Sequence, residues 1–243
     1  MGRTLVMIGA AAGFVVVAFF GFLVYVLLAS GQASYWEGDI AAFERRDVSN
    51  PPPADAVLFV GADDVRLWET LAADMAPIPV IQRGFGGAQI SHVAHYAARI
   101  IVPYRPRAIV LIAGEADLSD VRGRRPEDVL DDFKAFVDTL RAQGVEAPVY
   151  FVSIRPSPMR VSRWYGARRA NELIEEYVRT RTDLHYIDVA SQMFDTRDNI
   201  RRELFRWDGL SLNARGYALL AEKIRAALLA AGQGTGEAAH AIE

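Results

Sequence analysis

The chain contains no cysteine among its 243 residues. This absence excludes disulfide bonds, metal sites built from thiolates, a cysteine nucleophile and a lipid-modified cysteine anchor. The chain also has little net charge, because 30 acidic residues against 27 basic residues give a formal charge of −3. A protein dedicated to nucleic acids normally has a strongly basic face. We therefore predict no nucleic-acid partner.

Charge is missing altogether between Thr4 and Trp36. The core of this segment, from Leu5 to Ala29, is almost wholly Leu, Val, Ile, Phe, Ala and Gly. A helix of that length, rising about 1.5 Å per residue, exceeds the roughly 30 Å hydrocarbon layer of a bilayer. We predict that residues 1–30 are a single transmembrane anchor, which makes the membrane itself a partner.

A cleavable signal peptide is the alternative, and Gly31 and Ala33 would suit a cleavage site. The apolar stretch of such a peptide is usually shorter, about 7 to 15 residues, which favours a retained anchor. The amino terminus and Arg3 flank the span on one side, against Arg45 and Arg46 farther beyond it. This charge pattern predicts that the C-terminal domain lies on the outer or periplasmic side.

Gly9 and Gly13 form a GxxxG pattern, with Gly21 on the same helical face. Small residues at this spacing let two membrane helices approach closely, so the pattern indicates a homodimer through the anchor. Glycine is also common in membrane helices that do not pair. Both interpretations remain open from the sequence.

After the anchor, residues 31–54 are interpreted as a connector with a helix followed by the proline run at 51–53. Residues 55–231 then alternate short apolar runs with amphipathic stretches, and residues 232–243 are predicted to be a flexible tail. The apolar runs are AVLFV at 56–60, PVIQ at 79–82, AIVLIA at 108–113, VYFVSI at 149–154 and HYIDV at 185–189. Runs this short and rich in β-branched residues are typical of buried parallel strands.

The helical stretches between these runs have clear boundaries. Residues 126–143 begin at Pro126 and stop at Gly144, and Asn213 is placed to cap a last helix that reaches about Ala231. Five strands alternating with helices predict an α/β fold of three layers, α/β/α, with a parallel five-stranded sheet of flavodoxin-like order. Ligands bind at the carboxyl ends of the strands in such sheets, so the segments that follow each strand should hold the site.

Five of these segments have a distinctive sequence. They are VGADDVRLW at 60–68, RGFGG at 83–87, GEADL at 114–118, RPSP at 155–158 and DGLSLNARGY at 208–217. In order and spacing they resemble the sequence blocks of the SGNH or GDSL hydrolases, and the resemblance covers residues 36–230. It is most similar to a bacterial branch whose first block reads GSSSIRLW. Several residues that are architectural in this family are retained: Gly61, Arg66, Trp68, Arg83, Gly84, Gly86 and Gly114.

The resemblance implies an esterase or acyl transferase with a serine nucleophile, a histidine base and an oxyanion hole that includes an asparagine. In this chain the position of the nucleophile is Asp63, that of the asparagine is Ala116 and that of the histidine is Ser211. Of the catalytic set, only Gly87 and Asp208 are retained. Loss of the nucleophile or the base alone costs on the order of 10⁶ in rate in a serine protease, and an oxyanion donor about 10² to 10³. We therefore predict no serine esterase activity.

A carboxylate at position 63 would also repel the negative charge that develops on the attacked carbonyl. One interpretation is that Asp63 and Asp64 cap the free N–H groups of the helix that follows the first strand. The other interpretation joins the acidic side chains of this edge into a site for a hard cation, or into a carboxylate pair with separated pKa values. That acidic set is Asp63, Asp64, Glu115, Asp117 and Asp208. No known metal-ligand spacing supports a metal site, and no cofactor is predicted.

His92 and His95 lie one helical turn apart, just beyond Gly87. We interpret them as a packed or solvated pair, because no nucleophile is available for them to activate. Arginines and aromatic residues gather after the third and fourth strands and would suit an anionic glycan, a phosphate or a lipid headgroup, unless they are simply a solvated helix start. They are Arg122, Arg124, Arg125, Arg155, Arg160, Arg163, Arg168 and Arg169, with Trp164 and Tyr165.

The sequence therefore predicts a membrane-anchored hydrolase fold without hydrolase chemistry, which binds an acyl, glycan or lipid ligand or a partner protein. The predicted pocket consists of Asp63, Asp64, Arg66, Arg83, Gly87, Glu115, Asp117, Arg155, Asp208 and Ser211. Two alternatives remain open. One is a divergent hydrolase that uses Asp63 or a bound divalent metal, and the other is a structural scaffold in an assembly of the cell envelope.

Overall fold

A computed structural model of the chain describes residues 2–118 and 124–240, with side chains for 13–26, 28–118 and 124–230. In this part of the chain, five parallel strands form one sheet in the order β2-β1-β3-β4-β5. The strands are β1 (Val57–Gly61), β2 (Val80–Gly84), β3 (Ala108–Ile112), β4 (Val149–Val152) and β5 (Leu184–Ile187). The predicted parallel sheet and its flavodoxin-like order are confirmed, and each predicted run overlaps its strand.

Helices cover both faces of the sheet, as a parallel sheet requires. They are α2 (Glu37–Ser49), α3 (Asp63–Arg66), α4 (Leu71–Met75), α5 (Ile90–His95), α6 (Ala97–Ile100), α7 (Pro126–Ala142), α8 (Trp164–Val178) and α9 (Ala214–His240), and a further helix, α1 (Gly2–Ala29), precedes them. Alternate residues of β1 face opposite layers: Leu58 and Val60 pack with α2 and α5 to α8, whereas Val57 and Phe59 pack with α3, α4 and α9. The three-layer α/β/α architecture follows from this alternation.

The helix predicted over residues 126–143 is present as α7, which spans Pro126–Ala142. Pro126 occupies the first turn of α7, and the apolar face predicted for this helix is fully buried. Gly144, just beyond the helix, has a φ of +74°, a conformation that favours glycine and lets the chain leave the helix. At α9 the Asn213 side chain accepts hydrogen bonds from the amides of Arg215 and Gly216 at 2.9 and 3.2 Å, which is the predicted cap.

The predicted tail is helical over much of its length. The helix α9 continues to His240 instead of ending near Ala231, so residues 232–240 extend it. Residues 241–243 lie outside the described part of the chain.

At the other end of the chain, α1 covers the segment predicted to span a membrane. Among the residues whose side chains the structure describes, no helix is long and apolar enough to cross a bilayer. Within the predicted span, the side chains of residues 5–12 and 27 lie outside the described set, and so does that of Gly9 in the predicted paired face.

Residues 31–54 are part of the folded domain. Trp36, Ile40 and Phe43, which fall at helical spacing in the sequence, lie on one side of α2 and its preceding turn and are buried in the core. Ion pairs fix α2 further, because Arg99 of α6 binds both Glu37 and Glu44. This segment therefore packs on the core of the domain, whereas the sequence pattern indicated a connector between the anchor and the domain.

Candidate functional site

The segments that follow the strands converge around one cavity of about 230 Å³ at the carboxyl edge of the sheet. Of the predicted pocket, five residues line it: Asp63, Asp64, Gly87, Glu115 and Arg155. Ala116, at the family position of the asparagine, lines it as well. The loops after β1, β2, β3 and β4 thus meet in space, as expected for segments that follow the carboxyl ends of parallel strands.

Asp63 lies where the family resemblance puts the nucleophile. Its Oδ2 accepts a hydrogen bond from the main-chain N–H of Gly87 at 3.0 Å. Its Oδ1 accepts hydrogen bonds from Arg66, at 2.9 Å from Nε and 2.6 Å from Nη2. The family resemblance assigns the Gly87 N–H to the oxyanion hole, so a donor for the reaction's developing charge is already bound to a permanent negative charge.

Asp63 does not cap its own helix, which corrects one of the two interpretations offered for it. Ala62 is the residue before α3, and no side chain caps the amides of that helix. The carboxylate reaches across to the loop after β2 instead. Gly86 makes this approach possible, because a side-chain carbon there would lie 3.2 Å from Asp63 Oδ1 and 3.1 Å from Arg66 Nε. A residue with a side chain at this position would require the Asp63 and Arg66 side chains to shift by a few tenths of an ångström.

Asp64, the next residue, also lines the cavity and binds a different partner. It pairs with Arg155, whose Nε and Nη2 lie 2.7 and 2.6 Å from its two oxygens. Arg155 also donates from Nη2 to the carbonyl oxygen of Leu210 at 3.0 Å. One buried guanidinium therefore joins three segments that are far apart in the sequence: those after β1, after β4 and before α9.

The remaining acidic residues of the predicted set have separate surroundings. Glu115 pairs with Arg160 at 2.9 Å across the cavity. Asp117 is fully buried behind it and accepts hydrogen bonds from the N–H of Ile90, at the start of α5, at 3.2 and 3.4 Å. Burial raises the pKa of Asp117 to about 7, although the Ile90 amide acts in the opposite direction. Asp117 thus supports the loop from behind the cavity.

In the segment before α9, the family resemblance puts the aspartate at Asp208 and the histidine base at the position of Ser211. Asp208 Oδ1 accepts hydrogen bonds from the amides of Leu210 and Ser211 at 2.8 and 2.9 Å. These bonds, first of all the one from Leu210, lower the pKa of Asp208. The carboxylate that would orient a histidine is thus bound to its own turn. Asp208 and Ser211 lie outside the lining of the cavity.

Arg66 and Arg83 also lie outside this lining. Arg66 reaches the cavity only through Asp63. Arg83 shares a face of β2 with Ile81, because side chains alternate along a strand, and this face is covered by α2. There it binds Tyr104 at 2.8 Å and Asp47 of α2. Its role is to fasten α2 to the sheet.

Neither histidine near Gly87 is placed for catalysis. His92 is buried, and its Nδ1 accepts a hydrogen bond from the amide of Gln89 at 3.2 Å. Its proton is therefore assigned to Nε2, which lies 3.1 Å from the carbonyl oxygen of Gly31. His95 packs edge-on against Tyr96. His92 is thus a structural link between α5 and the segment that follows α1.

Sequence reasoning missed two contributors to the site. Ser30, the first residue after α1, lines the cavity together with Arg160 and Arg163. Trp36 lies beside Gly87, since a side-chain carbon at Gly87 would be 3.9 Å from the indole ring. The only signal for Trp36 was its helical spacing with Ile40 and Phe43. Nothing in the sequence indicated Ser30.

Many arginines of the predicted lip have acidic partners. Arg124 pairs with Asp132 at 2.7 Å, and Arg168 and Arg169 both pair with Glu172, at 3.2 and 3.3 Å. Arg122 lies outside the described residues. The lip is therefore not a simple surface of free positive charge, because ion pairs neutralise much of it.

Residues 29–219 match the model of the GDSL-like lipase/acylhydrolase family. The chain belongs to this family. No curated protein sequence matches it significantly. Among solved structures, a candidate platelet activating factor from Streptococcus pneumonia superposes with a TM-score of 0.69 at 17% identity, covering 85% of this chain and 99% of its own.

Two further solved structures are similar to this GDSL family member. A GDSL-like lipase from Bacteroides thetaiotaomicron has a TM-score of 0.66 at 16% identity, with 79% of this chain and 98% of that one covered. A carbohydrate esterase of family 3 from Talaromyces cellulolyticus has a TM-score of 0.56 at 15% identity, with coverage of 72% and 96%. Identities this low establish a common fold and no common substrate.

Proposed function

We propose that this member of the GDSL family is a membrane-anchored pseudohydrolase that uses the former active-site cavity to bind an acyl or glycan ligand, or a partner, without ester hydrolysis. The observation that carries this proposal is the hydrogen bond from the Gly87 amide to the Asp63 carboxylate. A serine esterase needs that amide free to stabilise an oxyanion. Asp63 both removes the nucleophile and fills the place of the oxyanion.

The surroundings of the cavity favour ligand binding over an alternative chemistry. Asp63, Asp64 and Glu115 each have an arginine partner within 2.9 Å, namely Arg66, Arg155 and Arg160 in that order. A divalent cation would have to displace these guanidinium groups. In the part of the chain that the structure describes, no three potential ligands are grouped to hold a metal ion.

Anchoring in the membrane is the second part of the proposal. The side chains of α1 support it, because large apolar residues from Phe14 to Leu28 are mostly exposed and have no protein core around them. An exposed apolar helix of this kind is unfavourable in water and favourable in lipid. We place the domain on the outer side of the membrane on the charge pattern around the span.

Hydrolysis of activated acetyl esters by the full chain in detergent tests the proposal. We expect no turnover above the uncatalysed rate. Three changes made together, Asp63→Ser, Ala116→Asn and Ser211→His, should restore measurable hydrolysis, because they supply the nucleophile, the amide donor and the base. The same variant with Asp208→Asn is the matched control and should lose the restored activity. Ready hydrolysis by the unaltered chain would overturn the proposal.

One observation favours a second candidate, a divergent hydrolase in which Asp63 attacks the substrate. The Asp63 side chain is 47% exposed and faces the cavity. This candidate requires hydrolysis by the unaltered chain that Asp63→Asn abolishes. A rise in melting temperature with magnesium, calcium, manganese or zinc that disappears in Asp63→Asn would support its metal-dependent form.

A further inference from the structure

Large apolar side chains are exposed at one edge of the domain. Between residues 50 and 230, five large apolar side chains are exposed in the described structure, and four of them are Met159, Val161, Tyr165 and Trp207. Trp207 is 99% exposed and Tyr165 is 84% exposed. These four residues, here called the apolar rim, lie on the segments that follow β4 and β5.

The two loops that carry the apolar rim are joined to each other. The amide of Met159 donates a hydrogen bond to the carbonyl oxygen of Gly209 at 2.9 Å. The turn that follows Trp207 is thereby joined to the 3₁₀ segment Pro158–Arg163, which contains Val161. Gly209 has a φ of +62°, and a side-chain carbon there would lie 3.4 Å from Pro158. Glycine is favoured here by the positive φ, and the hydrogen bond holds the two loops side by side.

The end of α1 lies at this same edge. Ser30 lines the cavity together with Arg160 and Arg163 of the 3₁₀ segment. The chain just beyond it is fixed to the domain, because the Gly31 carbonyl oxygen lies 3.1 Å from His92 Nε2 and the Ala33 carbonyl oxygen accepts from the Tyr96 hydroxyl at 2.7 Å. The exit from α1 is therefore a fixed joint and not a flexible linker.

We infer that the apolar rim docks on the surface of the bilayer in which α1 is embedded, with the mouth of the cavity facing the lipid headgroups. This inference rests on the anchoring proposed above. The fixed joint at residues 31–33 holds the edge with the rim next to the end of the anchor. Tryptophan and tyrosine are enriched at membrane interfaces, where their rings bury apolar surface while their polar atoms stay hydrated. The rim has this composition, and arginines flank it.

This orientation narrows the class of ligand. A cavity whose mouth lies at the headgroup level takes its ligand from the membrane, so the ligand is an amphiphile with an apolar chain or a lipid-linked polar group. The apolar floor of the cavity, which includes Ile112, Val152 and Leu220, would accommodate the apolar part. Its arginine-lined side would face the polar part.

The lack of cysteine in the chain makes a clean test possible. Single cysteines at Trp207→Cys and Val161→Cys would carry a spin label on the full chain reconstituted in vesicles of phosphatidylcholine and phosphatidylglycerol. Arg179→Cys is the matched control, because this exposed residue follows α8 at the opposite edge of the sheet. Collision with dissolved oxygen reports lipid contact, and collision with a water-soluble nickel complex reports water.

We expect the labels at 207 and 161 to collide with the nickel complex several-fold less often than the label at 179, and with oxygen more often. Equal nickel collision at the three sites, in protein that stays with the vesicles after alkaline carbonate washing, would overturn this inference alone. Release of the protein by carbonate would overturn the proposed anchoring and the inference with it. The ester hydrolysis test is independent of both.

Discussion

The guanidinium of Arg155 holds the carboxylate of Asp64 through two hydrogen bonds of 2.7 and 2.6 Å, and both side chains are largely buried. We expect Arg155→Met to lower the free energy of unfolding by about 3–5 kcal/mol, because it leaves a buried carboxylate without a partner. Urea unfolding followed by circular dichroism measures this change. The change should also loosen the turn at Leu210.

Arg179→Met is the matched control for the buried pair. Arg179 binds Glu175 at 2.7 Å with its side chain 73% exposed. An exposed pair one helical turn apart contributes about 0.3–0.5 kcal/mol. If the two variants lose the same stability, Arg155 does not hold the three loops together.

Asp117 should make the stability of the domain depend on pH. Its folded pKa is raised to about 7, first of all by burial. The unfolded value is about 3.9, so between about pH 4 and 7 the unfolded chain releases a proton that the folded chain keeps. The contribution of this group is therefore complete below about pH 4 and is lost as the pH rises through 7, with a slope of at most about 1.4 kcal/mol per pH unit.

We expect Asp117→Asn to flatten this part of the curve and to raise stability at pH 8, because the amide oxygen still accepts the Ile90 N–H bond without a charge. Urea unfolding at a series of pH values is the measurement. Asp131→Asn, at an exposed position of α7, should leave the curve unchanged. A slope between pH 4 and 7 that persists in Asp117→Asn would assign the dependence to another group.

Trp36 should be as important to stability as a residue of the sheet. It is buried against Phe85 and His92, with ring centroids 5.7 and 6.5 Å apart. We expect Trp36→Ala to lower the free energy of unfolding by about 3–5 kcal/mol. Tyr35→Ala, next to it and partly exposed, should cost less than half as much. Similar losses in the two variants would mean that residues 31–54 are a separable connector.

Gly61 ends β1 with a φ of +144°, where a side-chain carbon would lie 2.1 Å from the carbonyl oxygen of Ile112. We expect Gly61→Ala to lower the free energy of unfolding by more than about 3 kcal/mol, through strain and the displacement of β3. Gly144→Ala is the control, since its φ is also positive but its surroundings are open. Melting temperatures of the two variants would separate steric contact from backbone strain.

The alternation of short apolar runs and amphipathic stretches was enough to predict the layers and the strand order, because a parallel sheet buries both of its faces. The family membership could also be predicted, because five sequence blocks resemble the family in order and spacing. The ion pairs around the cavity could not be predicted from the sequence. Asp64 and Arg155 are 91 positions apart, and their meeting depends on how two loops pack.

The placement of Arg83 and of α2 shows a second limit. The family blocks grouped Arg83 with the pocket, whereas its register in β2 turns it towards Asp47 of α2. The prolines after α2 suggested a spacer, although the aromatic residues before them belong to the core. The local sequence pattern predicts that α2 is a helix. The part of the core that α2 covers depends on tertiary packing, which the local pattern does not contain.

Three glycines at the carboxyl ends of β1, β2 and β3 limit which substitutions this part of the fold can accept. At Gly61, Gly84 and Gly114 a side-chain carbon would lie 2.1, 2.2 and 2.6 Å from a neighbouring atom, so none of the three positions accepts a side chain unless a neighbour moves. The family resemblance puts catalytic groups at positions 63, 116 and 211, and these glycines shape the backbone at the ends of β1, β2 and β3. Under the proposed function, side-chain replacements at positions 63 and 116 would act on a backbone that is already shaped by these contacts, whereas the turn at 208–211 would first have to release the Asp208 carboxylate.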